Sequence, residues 1–200
     1  MKQIFKSLIL PHLDYCSQLW MPVDTKGIYK MEKLQRDFLK KIPEKRDLNY
    51  WEALSKLKML SIQRRMERYR IIYSWKILEG LAPNCGLSEI KDSSNSRLGR
   101  KIFSDSHKLK GSKLIKQSFQ TNGPQLFNTL PKSIRNLTKC SVDEFKSQLD
   151  QYLMTVPDEP QMDGLNPNAS DDSGTIGRYS NSLLFQKRRC WGGPGLTSGA

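Results

Sequence analysis

A chain of 200 residues with 37% hydrophobic and 26% charged residues can bury a core, which excludes wholesale disorder, but it is short for a self-sufficient polymerase. Its 33 Lys and Arg against 20 Asp and Glu leave a net charge of +13. The excess sits in residues 1–153, with 29 basic against 15 acidic residues, whereas residues 154–200 carry 4 against 5. Such a charge makes a polyanion the first partner to consider, because clustered Lys and Arg release counterions from phosphates.

Ile4, Phe5, Leu8 and Ile9 have helical spacing up to Pro11, where the missing N–H should bend or restart the helix, and residues 13–20 suit a second short helix. Over 27–42 the apolar residues Ile28, Met31, Leu34, Phe38, Leu39 and Ile42 recur at threes and fours, opposite Lys33, Arg36 and Lys40. Pro43 ends this amphipathic helix. Tyr50, Ala53, Leu54 and Leu57 make a third apolar face, and Ser61 is placed to cap a fourth helix from Ile62 to about Glu79, stopped by Gly80 and Pro83. In that fourth helix Ile62, Met66, Tyr69, Tyr73 and Ile77 share one face. Arg64, Arg65 and Arg68 should form a basic prow at its start, and its C-terminal half should be buried all round.

Residues 84–112, rich in Ser, Asn, Asp, Gly and Lys, read as a long loop with a short extended piece over 101–103. Order returns at 114–119, with a break expected at Gly123 and Pro124 before Leu126, Phe127 and Leu130. Ser141 and Glu144 form a capping box, after which Val142, Phe145, Leu149 and Leu153 keep helical spacing to about Met154. The last 47 residues hold 7 of the 13 glycines and 4 of the 10 prolines without apolar period, the pattern of a disordered tail.

Cys16, Cys85, Cys140 and Cys190 are too far apart in sequence to present paired thiolates, and His12 and His107 stand in unrelated contexts, so no metal site is expected. The apolar start is broken by Lys6, Pro11 and Asp14, unlike a signal peptide, and no run reaches the roughly 18 apolar residues of a membrane span. An intracellular, unsecreted protein, cytoplasmic or nuclear, is expected. Asp171 and Asp172 lie among Asn168, Ser170, Ser173 and Gly174, not on a tight turn between apolar strands, so they read as solvated loop, not a two-metal site. No phosphate loop or nucleophile elbow occurs, so no catalytic residue, cofactor or small-molecule substrate is expected. What remains is two basic stripes, Lys33, Arg36 and Lys40 on one helix and Arg64, Arg65 and Arg68 on another, with Trp20, Trp51 and Trp75 able to stack on bases where exposed.

The order of short motifs adds to this reading. Phe5-Lys6-Ser7-Leu8-Ile9-Leu10-Pro11-His12-Leu13-Asp14-Tyr15-Cys16 with Trp20 and Pro22, Glu32-Lys33-Leu34-Gln35-Arg36, and Leu48 with Tyr50 and Leu54 come first. They are followed by Arg64-Arg65 with Tyr73, Lys76-Ile77-Leu78 and Gly80, and by Gly123-Pro124-Gln125-Leu126-Phe127-Asn128-Thr129-Leu130-Pro131 with Phe145-Lys146 and Leu149. This series resembles the region that follows the polymerase core in reverse transcriptases of non-LTR retrotransposons, the jockey-like and related long interspersed elements. The resemblance covers residues 4–153 and departs at Phe127, where the family usually has Trp. It implies a C-terminal extension that would follow an upstream polymerase domain, with the palm and endonuclease outside this chain. Such a piece would hold RNA template or primer duplex by its backbone and would not polymerise alone.

The expectation is therefore a mostly α, small irregular helical domain of about five to seven helices with a long central loop. Residues 1–153 form the basic module, and 154–200 a disordered Gly/Pro/Ser-rich tail. Its function would be nucleic-acid binding, with no enzyme activity of its own. The alternative is a stand-alone helical protein-interaction module or a non-functional gene-model remnant.

Overall fold

The computed structural model describes residues 2–22, 25–42, 48–89, 99–104, 118–158 and 176. The fold is mostly helical. The chain begins with α-helical Lys2–Ile4 (α1), π-helical Phe5–Ile9 and α-helical Leu10–Asp14 (α2). The restart expected at Pro11 takes the form of a widened turn just before it, the Leu10 amide reaching back to the Phe5 carbonyl and a new α-helix starting at Leu10. The wider turn relieves the clash between a proline ring and the carbonyl four residues earlier. Cys16, at φ 51°, then turns the chain into Ser17–Trp20 (α3). The amphipathic helix Thr25–Lys40 (α4) and Tyr50–Lys56 (α5) follow; α5 buries Tyr50, Ala53 and Leu54 as its spacing predicts, whereas on α4 Leu39 is buried, the expected Leu34 is exposed, and polar Glu32 and Gln35 take the deepest places.

The longest helix, Ile62–Leu78 (α6), starts as expected at Ser61, whose hydroxyl accepts from the Arg64 amide, and ends before Gly80 in the left-handed conformation, at φ +71°. Its two halves belong to different cores. Ile62 and Met66 join Phe5, Leu10, Leu39, Tyr50, Ala53, Leu54 and Met59, with Phe5 stacked on Phe38 at 4.4 Å. Ile71, Ile72, Trp75 and Ile77 join Leu87, Ile102, Phe119, Phe127, Phe145, Leu149 and Leu153. The buried C-terminal half is as the sequence implied.

The expected long loop contains one element more than anticipated. Leu87–Glu89 (β1) pairs antiparallel with Ile102–Ser104 (β2), Ser88 opposite Phe103. Asn128 holds β2 from both sides, its Oδ1 accepting from the Ile102 amide at 2.9 Å and its Nδ2 donating to the Ile102 carbonyl at 2.8 Å.

Phe119–Thr129 (α7) corrects the break expected at Gly123 and Pro124, because the helix runs through both. A Cβ on Gly123 would lie 2.8 Å from Ser74 Oγ and 2.9 Å from Phe119 Cε2, so this glycine lets α7 settle against α6. Gly123→Ala is expected to destabilise the fold by about 1–3 kcal/mol, read as a lower urea midpoint, since the Phe119 ring has little room to yield. A variant as stable as the parent would show that the approach is not close-packed.

Lys132–Arg135 (α8) is a short turn the sequence reading missed, and Val142–Thr155 (α9) is capped by Ser141 Oγ, which accepts from the Glu144 amide at 3.1 Å. The boundary set at residue 153 falls inside this ordered stretch, which continues to Asp158. Beyond it, Ile176 is fully buried in the second core, its amide donating to Glu67 at 3.4 Å. Residues 159–175 and 177–200, with the Asp171–Asp172 pair and most of the expected tail, lie outside the described residues.

Candidate nucleic-acid interface

Along α4, Lys26, Lys30 and Lys33 lie one turn apart and Lys40 two turns beyond Lys33, and Lys41 directly follows the end of the helix. At 3.6 residues per turn the four helical positions fall within an arc of about 80° and span about 21 Å along the axis. All five lysines are exposed, with exposed Asp37 in their midst. Among the described residues the basic partners in ion pairs are Arg64, Arg65, Arg68, Arg100 and Lys146, so the five lysines have no carboxylate partner there. Lys33 and Lys40 thus stand where the sequence placed them. Lys26 and Lys30 continue the same threes and fours toward the start of the helix, and Lys41 stands just past its end. Arg36 lies off the stripe, half-buried, its Nε without a hydrogen-bond partner.

The second stripe is not an open array, which corrects the basic prow. Arg64 is 0% exposed. Its Nη1 donates to the Leu153 and Val156 carbonyls at 3.3 Å each, its Nη2 to the Pro157 carbonyl at 2.6 Å, and its Nε lies 3.8 Å from both Glu67 and Asp158. Asp158 in turn accepts from the Ser61 amide at 2.7 Å and hydroxyl at 2.6 Å. Arg64 therefore fastens the end of α9 to the start of α6 and is withdrawn from the candidate contacts. Arg65 grips Asp14 with Nε at 3.1 Å and with Nη2, and Tyr69 donates to the same carboxylate at 3.0 Å. Arg68 is bidentate to Asp150, with Nη2 at 2.8 Å. Partial burial disfavours the charge of Arg68, but Asp150 outweighs it and holds the guanidinium above its ordinary value. These two arginines keep a solvent edge, but their charge is already answered.

A buried polar belt, invisible to the sequence reading, separates the two cores. Gln63, Glu67, Arg70 and Ser74 follow one another by fours and threes along α6, all buried. Burial drives Arg70 down to about 10, opposed by Glu67. From α4, Glu32 enters the belt fully buried, accepting from Tyr50 Oη at 2.7 Å and from the Gln63 amide at 2.8 Å. Burial pushes its carboxyl up to about 7 against the lowering effect of those donors, and burial beside Glu32 pushes the Tyr50 hydroxyl up as well.

The tryptophans divide clearly. Trp75 is fully buried, stacked on Phe145 at 4.4 Å and 7°, with Nε1 donating to the Leu137 carbonyl at 2.9 Å. Trp51 is half-buried against Tyr50. Trp20 is exposed. Neither of the first two is free to meet a base.

Among the described residues no group of three or more His, Cys, Asp or Glu side chains could hold a metal ion, and no helix is long and apolar enough to cross a membrane. Cys16, Cys85 and Cys140 are free. Compared with protein-family models, with curated proteins and with solved structures, the chain finds no match.

Proposed function

We propose that this chain is a helical nucleic-acid-binding module of the kind that follows the polymerase core in non-LTR retrotransposon reverse transcriptases, which it resembles in motif order. It acts by binding RNA or DNA backbone and not by catalysis. The observation that carries the reading is the stripe of Lys26, Lys30, Lys33 and Lys40 on one exposed face of α4, with Lys41 just past its end, unanswered by carboxylates among the described residues. Aligned ammonium groups along a rigid rod suit a phosphate backbone, where each contact releases condensed counterions. They position the strand without reading its sequence.

The test is affinity for a 20-nucleotide RNA and a matching duplex over a range of salt. Affinity should fall steeply with salt, and Lys26, Lys30, Lys33 and Lys40 changed together to Gln should flatten the log–log slope by about 2–3. Arg65→Ala, which removes a cation already paired with Asp14, should leave the slope near its starting value. An unchanged slope in the quadruple variant, or no binding at low salt, overturns the reading. Exposed Ile4, Leu8 and Leu19 favour the rival, a helical protein-interaction module. Concentration-dependent self-association without nucleic-acid affinity would select it.

A further inference from the structure

We propose that Tyr15 and Trp20 form a base-stacking platform, so that the nucleic acid taken up is single-stranded. This rests on the backbone-binding reading above and adds the class of strand. The two residues lie either side of the turn at Cys16, and Trp20 Nε1 donates to the Tyr15 carbonyl at 2.5 Å. The indole's one polar atom is thereby used within the chain, and what it offers outward is ring surface. Trp20 is 41% exposed and Tyr15 77%. Large aromatic surface left in water is costly, and the chain covers Trp75 completely.

The platform also has a firm base. Asp14, next to Tyr15, is clamped by Arg65 and Tyr69, Ser17 is fully buried, and α3 packs on α6. The Trp20 indole, fixed by its bond to the Tyr15 carbonyl on this firm backbone, loses little freedom when a base stacks on it.

The charge around the platform favours a polyanion: Arg65, which clamps Asp14 beside Tyr15, acts with Lys2 as a like charge on Lys6, so three cations gather at this end of the fold. Lys26 lies six positions after Trp20, at most about 21 Å of extended chain, so one strand can stack on the rings and run onto the lysine stripe. A duplex keeps its base faces stacked inside and can use only the stripe. Stacking on exposed aromatics beside a basic track is a general mode of single-strand binding.

The experiment compares labelled 20-nucleotide oligo-dT and oligo-U with a 20-base-pair duplex, bound to the full chain at fixed salt. Parent, Tyr15→Ala/Trp20→Ala and Trp20→Phe proteins are used. The double variant should bind the single strands about ten- to hundredfold more weakly with duplex affinity and salt slope unchanged, and Trp20→Phe should keep most of the single-strand affinity. Unchanged single-strand affinity, or equal losses on single strand and duplex, overturns the platform while leaving the lysine stripe standing. Failure of the parent to bind either form overturns both. A double variant that alters self-association and not single-strand affinity assigns these rings to a protein contact and overturns the proposal.

Discussion

Arg64→Ala is expected to lower stability by about 3–5 kcal/mol, among the most damaging single changes in this chain. The guanidinium is fully buried and is the donor on which the carbonyls of Leu153, Val156 and Pro157 converge. Removing it leaves those oxygens without that donor and deprives Glu67 and Asp158 of the cation between them. Urea unfolding reads the loss as a lower midpoint. Arg68→Ala is the control, because its partner Asp150 is 41% exposed and such a pair contributes at most about 1 kcal/mol. Equal and small effects at the two positions would mean that Arg64 is solvated and available to ligands after all.

The second large effect is a pH dependence. The Glu32 carboxyl ordinarily titrates near 4.5 and is held at about 7 in the folded chain, chiefly by burial. Below pH 4.5 it is protonated in both states and its full contribution to stability is present. Between 4.5 and 7 the unfolded chain releases the proton and the folded chain keeps it, so stability falls as pH rises, by about 3 kcal/mol in all, and levels off above 7. Glu32→Gln keeps the shape of the side chain without the ionisation. Urea midpoints measured from about pH 5 to pH 8 should drift down in the parent and stay nearly level in this variant, apart from the other groups that titrate there. Parallel profiles would show that Glu32 is solvated in the folded state.

What could be read from the sequence was whatever local chemistry decides. Ser61 and Ser141 cap the helices they were expected to cap because a hydroxyl and an amide three residues on are enough to make the bond. The face of α5 follows from periodicity alone, but on α4 the buried Glu32 and Gln35 and the exposed Leu34 turn the inward face away from the apolar spacing, because Tyr50, the Gln63 amide and the Leu60 carbonyl supply partners for the polar pair. Arg64 failed as a surface residue because its partners come from 89 to 93 residues downstream, and nothing near it in sequence distinguishes it from Arg65 or Arg68. Gly123 and Pro124 misled for the opposite reason: a pair that ordinarily breaks a helix is here set by how near α6 lies. On the candidate interface, Lys33 and Lys40 were legible from spacing. The choice of Trp20 among the tryptophans required knowing what covers Trp51 and Trp75.

The placement of α6 has one further consequence. Its seventeen residues are a single rod with Met66 in one core and Ile71 in the other, joined through Glu67 and Arg70. A helix cut in the middle loses backbone bonds on both sides of the cut, so neither core can melt while the other keeps its share of the rod intact. The polar belt keeps two separate oily interiors from merging, yet the rod through it gives them a common fate: one cooperative unit built from two cores.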